Sequence, residues 1–366
     1  MVTVKASNFI LKALDSLPVL CLFCNEQMNF SNLPKHQKED CSKKSENYSS
    51  KQNKWEKFYK LTNLELLHLQ NLPKLVDSFL SSSNFKNLKT LSIKKCPRVV
   101  APSLSQLANL SCFFFHSQMV KRQLLVSLSS SSSLSQIAFT RCLFEDASSL
   151  SLLSKLPNLH TLALPSSSGG GLDTNFTLHN FSCLTLLNVE KTSVGDNLCK
   201  SLSSSPLTRM NFENTKVSGE GVRALLLKRS HKLKEVRLAN CEGIGGEEFL
   251  WQVLPSLPSI EFLSLPQLDK PLHKFASKSL KRLHLCSPNK ADFLNFATHV
   301  TSITKLCLHG TLTDDIVKVI SENCRNVLVM DLFSSHFTNE GMNYLANMTD
   351  IKKLSEPQKK NILIIF

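Results

Sequence analysis

Residues 21–41 read CLFCNEQMNFSNLPKHQKEDC and place Cys21, Cys24, His36 and Cys41 at the spacing C-x2-C-x11-H-x4-C. Zinc takes four nitrogen or sulfur ligands in a tetrahedron, and a C-x2-C knuckle supplies two of them from one tight turn. Asn25 and Asn29 suit the turns of a short hairpin. Ser31 suits the N-cap of a short helix that carries His36 back to the knuckle, with Pro34 in its first turn. Leu20, Phe23, Phe30 and Leu33 are the apolar residues on hand for a core. So few cannot hold a fold in water, and metal binding and folding are expected to be one event. Four protein ligands leave no open position, so the one expected zinc ion is structural, not catalytic. Two other readings compete. A redox C-x-x-C normally follows a strand of a βαβ unit, which this chain lacks; a chance cluster would be a by-product of a chain with 12 cysteines.

Elsewhere the reactive residue types do not converge. The glycine cluster SSSGGGLD, from Ser166, lacks both the Lys-Ser/Thr of a phosphate loop and the G-x-G-x-x-G spacing, and it reads as a flexible loop. The nine cysteines after Cys41 include no C-x-x-C pair and are expected as buried thiols. With no nucleophile–base or acid–base set in view, a non-enzymatic protein is expected.

The elements that position these residues follow from a repeat. LKTLSIKKC from Leu88 reads L-x-x-L-x-I-x-x-C, and LSQIAFTRC from Leu134 and LKEVRLANC from Leu233 repeat the frame with other apolar residues at positions 4 and 6. Related frames start at Leu64, Leu110, Leu159, Leu184, Leu207, Ile260, Leu280, Ile303 and Val327, twelve in all at a mean spacing of about 24 residues. A further unit is expected from Ile351. In each frame positions 4 and 6 should point into a core and positions 3, 5 and 7 away from it, as a strand dictates. The residue near position 9 should turn the chain and bond to neighbouring backbone. Helix signals follow some of the strands: VSGEGVRALLLKR, LTDDIVKVISENC and FTNEGMNYLANM each set a Ser or Thr before an apolar periodic run. Asp314 and Asp315 suit the positive end of the second of these helices.

From Leu64 to Leu354 the chain resembles a leucine-rich-repeat domain, and its strand-to-helix joints resemble the cysteine-containing subfamily found in F-box substrate receptors. The resemblance implies an α/β solenoid, a horseshoe with a parallel sheet on its concave side and helices on its convex side. The front cluster resembles the zinc finger of the tumour-necrosis-factor-receptor-associated factors, with Leu33, His36 and Cys41 in the places of that family's L-x-x-H-x4-C ending. Together the two resemblances imply an adaptor in ubiquitin-pathway or signalling assemblies.

On the outward positions of the later repeats stand Arg209, Arg237, Phe262, Arg282, His284, Lys305 and His309. Stacked at the strand spacing of about 4.8 Å, they should form a basic strip with Phe262 in its middle. Such a strip suits an acidic peptide, a phosphate-bearing ligand or a nucleic-acid backbone. Protein partners are the first expectation; nucleic acid, bound by finger and strip together, is the alternative. The formal net charge of +14 is compatible with both.

The expected domains are an N-terminal arm at 1–17, the finger at 18–43, a polar linker and cap at 44–60 that includes Trp55 and Phe58, repeats at 61–356 and a tail at 357–366. The tail PQKKNILIIF either closes the array with a last strand or ends a truncated chain. The opening MVTVKASNFILKALDSLPVL is interrupted by Lys5, Lys12 and Asp15, so no secretory signal is read there. No window reaches the ~18 apolar residues of a membrane span. Reduced cysteines in a cytoplasmic or nuclear protein are therefore expected.

Overall fold

The structure, a computed structural model, describes residues 18–20, 27–29, 62–80, 85–202, 204–229, 231–241, 244, 257–266, 277–286, 302–355 and 363–364. The chain divides into two units, Met1–Phe58 and Tyr59–Phe366. In the first, Pro18–Leu20 and Gln27–Asn29 pair antiparallel, with Val19 opposite Met28. The C-x2-C pair joins these strands in sequence, but Cys21, Cys24, His36 and Cys41 all lie outside the described residues.

In the second unit the repeats become one 14-stranded sheet in strict chain order. Its strands are β1 (Leu66–Gln70), β2 (Thr90–Lys94), β3 (Cys112–His116), β4 (Gln136–Thr140), β5 (Thr161–Ala163), β6 (Leu186–Asn188) and β7 (Arg209–Asn211). There follow β8 (Glu235–Arg237), β9 (Phe262–Leu265), β10 (Arg282–Cys286), β11 (Lys305–Leu312), β12 (Val329–Ser335), β13 (Lys353–Ser355) and β14 (Leu363–Ile364). The twelve expected strands are present, and β13 supplies the further unit from Ile351. Neighbours are parallel, as in β1–β2 and β11–β12, until β14 closes the edge antiparallel to β13. The tail thus contributes a strand.

In the twelve repeats both inward positions are apolar and buried. Leu91 and Ile93, Phe113 and Phe115, Ile137 and Phe139, and Leu306 and Leu308 are fully buried. Each such side chain contributes about 1.5–3 kcal/mol relative to exposure. The loosest repeat, LSCFFFHSQ, is a local thickening of this core. Phe139 meets Phe144 edge-on at 5.5 Å between centroids and Phe113 at 6.2 Å.

A tight turn follows the strand. Position 8 adopts positive φ in Asn71, Lys95, Ser117, Arg141, Ser166, Lys191, Asn214 and Asn240, all between 53° and 58°. Position 9 then tucks under the strand. The thiols of Cys142 and Cys241 donate to the position-6 carbonyls of earlier repeats, Phe115 at 3.2 Å and Phe212 at 3.0 Å. Thr192 and Thr215 do the same to Val189 and Phe212 of their own repeats. Burial pushes the Cys142 and Cys241 thiols up to about 11, so they act as donors and not as nucleophiles.

The return segments are helical where the sequence has room for a helix: α1 (Arg122–Ser129), α2 (Asp196–Ser201), α3 (Gly219–Arg229), α4 (Asp314–Asn323) and α5 (Asn339–Ala346). The three helices expected from the sequence are α3, α4 and α5; α1 and α2 have no Ser or Thr cap to announce them. Asp314 does sit in the first turn of α4, yet its carboxylate serves the next helix. It accepts from Thr338 N at 2.8 Å, from the Thr338 hydroxyl at 2.9 Å and from Gly341 N at 2.9 Å. Asp196, at the start of α2, binds Ser218 N and its hydroxyl, each at 2.7 Å, ahead of α3. α3 is thereby pinned to α2 and α5 to α4, through donors at the start of the following helix.

Candidate functional site

The outward face of β7 to β12 carries the residues singled out from sequence. Register sets them in rows. Across position 3 run Arg209, Glu235, Phe262, Arg282 and Lys305, and across position 5 run Asn211, Arg237, Ser264, His284, Cys307 and Asp331. Arg209 is exposed at the start of β7, next to Glu235 in register.

Phe262 stands between two guanidinium groups. The Arg237 carbon lies 4.3 Å from the ring centroid and the Arg282 carbon 4.6 Å from it. Cations over an aromatic face are drawn to its negative quadrupole, by about 0.5–1 kcal/mol at exposed sites. Arg237 is also held by Glu235, with Nε and Oε1 2.6 Å apart. Lys305 reaches Asp331 at 3.4 Å. The expected basic strip is therefore of mixed sign: Glu213, Glu235 and Asp331 stand among the cations.

Next to the aromatic platform lies a second group. His284 and Cys307 are register partners, and His309 follows two residues along β11. The His309 ring stacks on Phe333 at 4.0 Å and 17° and touches the His284 ring at 4.7 Å. Burial, and then the neighbouring His284, lower the pKa of His309, which keeps its imidazole neutral at neutral pH. The fully buried Ser264 hydroxyl donates to Glu213 and lies 2.8 Å from Nδ1 of His284. Burial pushes Glu213 up, but the nearby His284, the hydrogen bond from Ser264 and the charge of Arg237 prevail and hold it below the usual glutamate value.

The structure thus brings Arg237, Phe262 and Arg282 into one contact and His284 and His309 into another, with Lys305 beside both in register. Asp331 and Phe333 were missed by sequence reasoning, while Ser264 and Glu213 were placed on or near the face without the bond that joins them. Their signal was available in the alternation, since Glu213, His309 and Phe333 all occupy position 7 of their repeats.

The chain is similar to several solved structures. An internalin from Listeria monocytogenes is 15% identical, with 84% of this chain and 89% of that one covered and a TM-score of 0.45. The LRR ectodomain of the plant membrane receptor kinase GASSHO1/SCHENGEN3 from Arabidopsis thaliana, solved with CASPARIAN STRIP INTEGRITY FACTOR 2, is 16% identical, with 82% and 42% covered and a TM-score of 0.42. The plant peptide hormone receptor RGFR1, solved with RGF2, is 11% identical, with 82% and 53% covered and a TM-score of 0.37. The chain spans about half the length of the two plant receptors. No family model and no curated protein matches it. By its own strand order, register and period, the unit Tyr59–Phe366 is an α/β solenoid of leucine-rich-repeat type.

Proposed function

We propose that this chain is a protein-interaction adaptor of the cytoplasm or nucleus, with one partner on the sheet face of the repeats and a second on a zinc finger held by Cys21, Cys24, His36 and Cys41. The observation that carries the reading is the Arg237–Phe262–Arg282 sandwich. It sets a half-exposed aromatic ring between two oriented guanidinium groups, and a guanidinium fork pairs bidentately with carboxylates. The ring supplies apolar area at little entropy cost, the combination that anchors protein interfaces. An acidic segment with an apolar residue fits this chemistry. The nearby carboxylates Glu235 and Asp331 disfavour a plain polyanion and add selectivity by repulsion. Assemblies of the ubiquitin pathway or of signalling are the context we favour for such an adaptor.

Proximity labelling with the full chain tests this. Phe262→Ala with Arg282→Ala should delete one set of partners, and Cys24→Ser a different set. Partner lists identical to that of the parent chain in both variants would overturn the reading. Bound nucleic acid, released steeply with the logarithm of salt concentration, would point to the polyanion instead.

A further inference from the structure

We propose that His284, Cys307 and His309 form a zinc site on the sheet face, distinct from the cysteine cluster at the front of the chain. One ligand atom from each lies within 4.8 Å of the other two. A tetrahedral zinc ion with bonds of about 2.0 Å to nitrogen and 2.3 Å to sulfur holds its ligand atoms about 3.3–3.6 Å apart. Closing from the present spacing is therefore a side-chain adjustment of about an ångström, on strands whose register already sets the three residues side by side.

The neighbouring hydrogen bonds have prepared one ligand. The single proton of Ser264 Oγ goes to Glu213, so the oxygen accepts from Nδ1 of His284. With one ring proton, placed on Nδ1 by this bond, the ring presents a bare lone pair at Nε2. That Nε2 is buried and has no hydrogen-bond partner. A buried polar atom left unpaired costs about 1–3 kcal/mol, and a metal bond removes that cost. The chain Glu213–Ser264–His284 is the carboxylate-backed arrangement that orients metal-binding histidines and raises their basicity. His309 is held in place by its stacking on Phe333. Cys307 is a free thiol. Binding replaces the S–H bond with a zinc–sulfur bond and releases one proton to solvent.

The donor set of two imidazoles and one thiolate suits zinc by softness, and three protein ligands leave the fourth position to water. Cys286 completes the square as the register partner of His309, but its sulfur is not within 4.8 Å of all three ligand atoms.

The experiment uses the full, reduced, chelator-stripped chain carrying Cys21→Ser and Cys24→Ser, which removes the front cluster and keeps the two zinc readings separable. Titration with Co2+ should give one bound equivalent with a thiolate-to-cobalt charge-transfer band, bleached by Zn2+. Adding Cys307→Ser should abolish that band, and His309→Ala should abolish tight binding, with circular dichroism confirming the fold in each case. Glu213→Gln should keep the band and weaken affinity about 10- to 100-fold. The proposal is overturned if the front-cluster variant takes up no Co2+ with such a band. It is also overturned if neither Cys307→Ser nor His309→Ala, both folded, changes the uptake.

Discussion

Nδ1 of His284 lies 3.5 Å from a carboxylate oxygen of Glu213, although the two residues belong to repeats three apart. The repeat after Glu213 carries the buried Ala239 at the same position, a side chain small enough to leave a path across the face. Ser264 bridges what remains. A serine, a glutamate and a histidine from different repeats thus share one line of contacts, which ties the turn after β7 to β9 and β10 beyond their backbone ladder.

Glu213 should therefore contribute stability that depends on pH. Its folded pKa is depressed from 4.5, so folding favours the ionised form. That contribution is fully present above the unfolded value and is lost as the pH falls through the folded one. At neutral pH, Glu213→Gln should cost about 1–3 kcal/mol in urea unfolding, the worth of hydrogen bonds to a charged group. The gap between variant and parent should narrow once the pH drops below 4.5.

Gly221 and Asp196 should behave as one unit. A Cβ at Gly221 would meet Asp196 Oδ1 at 2.1 Å, and its three nearest atoms all belong to Asp196. Gly221→Ala should destabilise by about 1–3 kcal/mol through overpacking. Asp196→Ala should cost a similar ~1–3 kcal/mol by orphaning the Ser218 donors. Combined, the two should cost less than their sum, because the two closest contacts go with the carboxylate and only the Asp196 Cβ contact at 2.8 Å remains. A strictly additive double-mutant cycle would contradict the contact.

Arg141 pays for a left-handed turn. Its φ of 54° is disfavoured for a residue with a Cβ, by roughly 1–2 kcal/mol. Glycine relieves that strain but loses more entropy on folding, by about 0.5–1 kcal/mol. Arg141→Gly should raise stability by about 0.5 kcal/mol, read as a shift in urea midpoint at constant slope. A loss of stability would mean that the arginine side chain makes a contact worth more than the strain.

Thiol labelling should sort the cysteines by burial. Cys142, Cys199 and Cys241 are buried, and that burial raises their pKa values, whereas Cys112 and Cys183 are half-buried. Since the thiolate is the nucleophile, iodoacetamide at neutral pH should alkylate Cys112 and Cys183 first, and the other three only in urea. Mass spectrometry of the digested chain reads the order directly.

Strand positions were legible in the sequence because each repeat buries the same two side chains, and a period of about 24 residues carries that requirement without reference to any distant partner. The helices of α3, α4 and α5 were legible for the same reason, from caps and apolar spacing within one segment. The destination of Asp314 was not. Its spacing to α4 suggested a local dipole effect, while the fold spends the carboxylate on Thr338 and Gly341 of the following helix.

The sequence by itself determined the solenoid, its strand order and which residues face outward, since alternation along a strand is a local rule. Only the tertiary structure decided what the outward face is. Register across parallel strands set Phe262 between Arg237 and Arg282, drew carboxylates in among the cations, and joined Ser264 to Glu213 across 51 residues of chain. Charge, tautomer and an unpaired ring nitrogen depend on which side chains stand a few ångströms away, and that is a property of the stack and not of any one repeat.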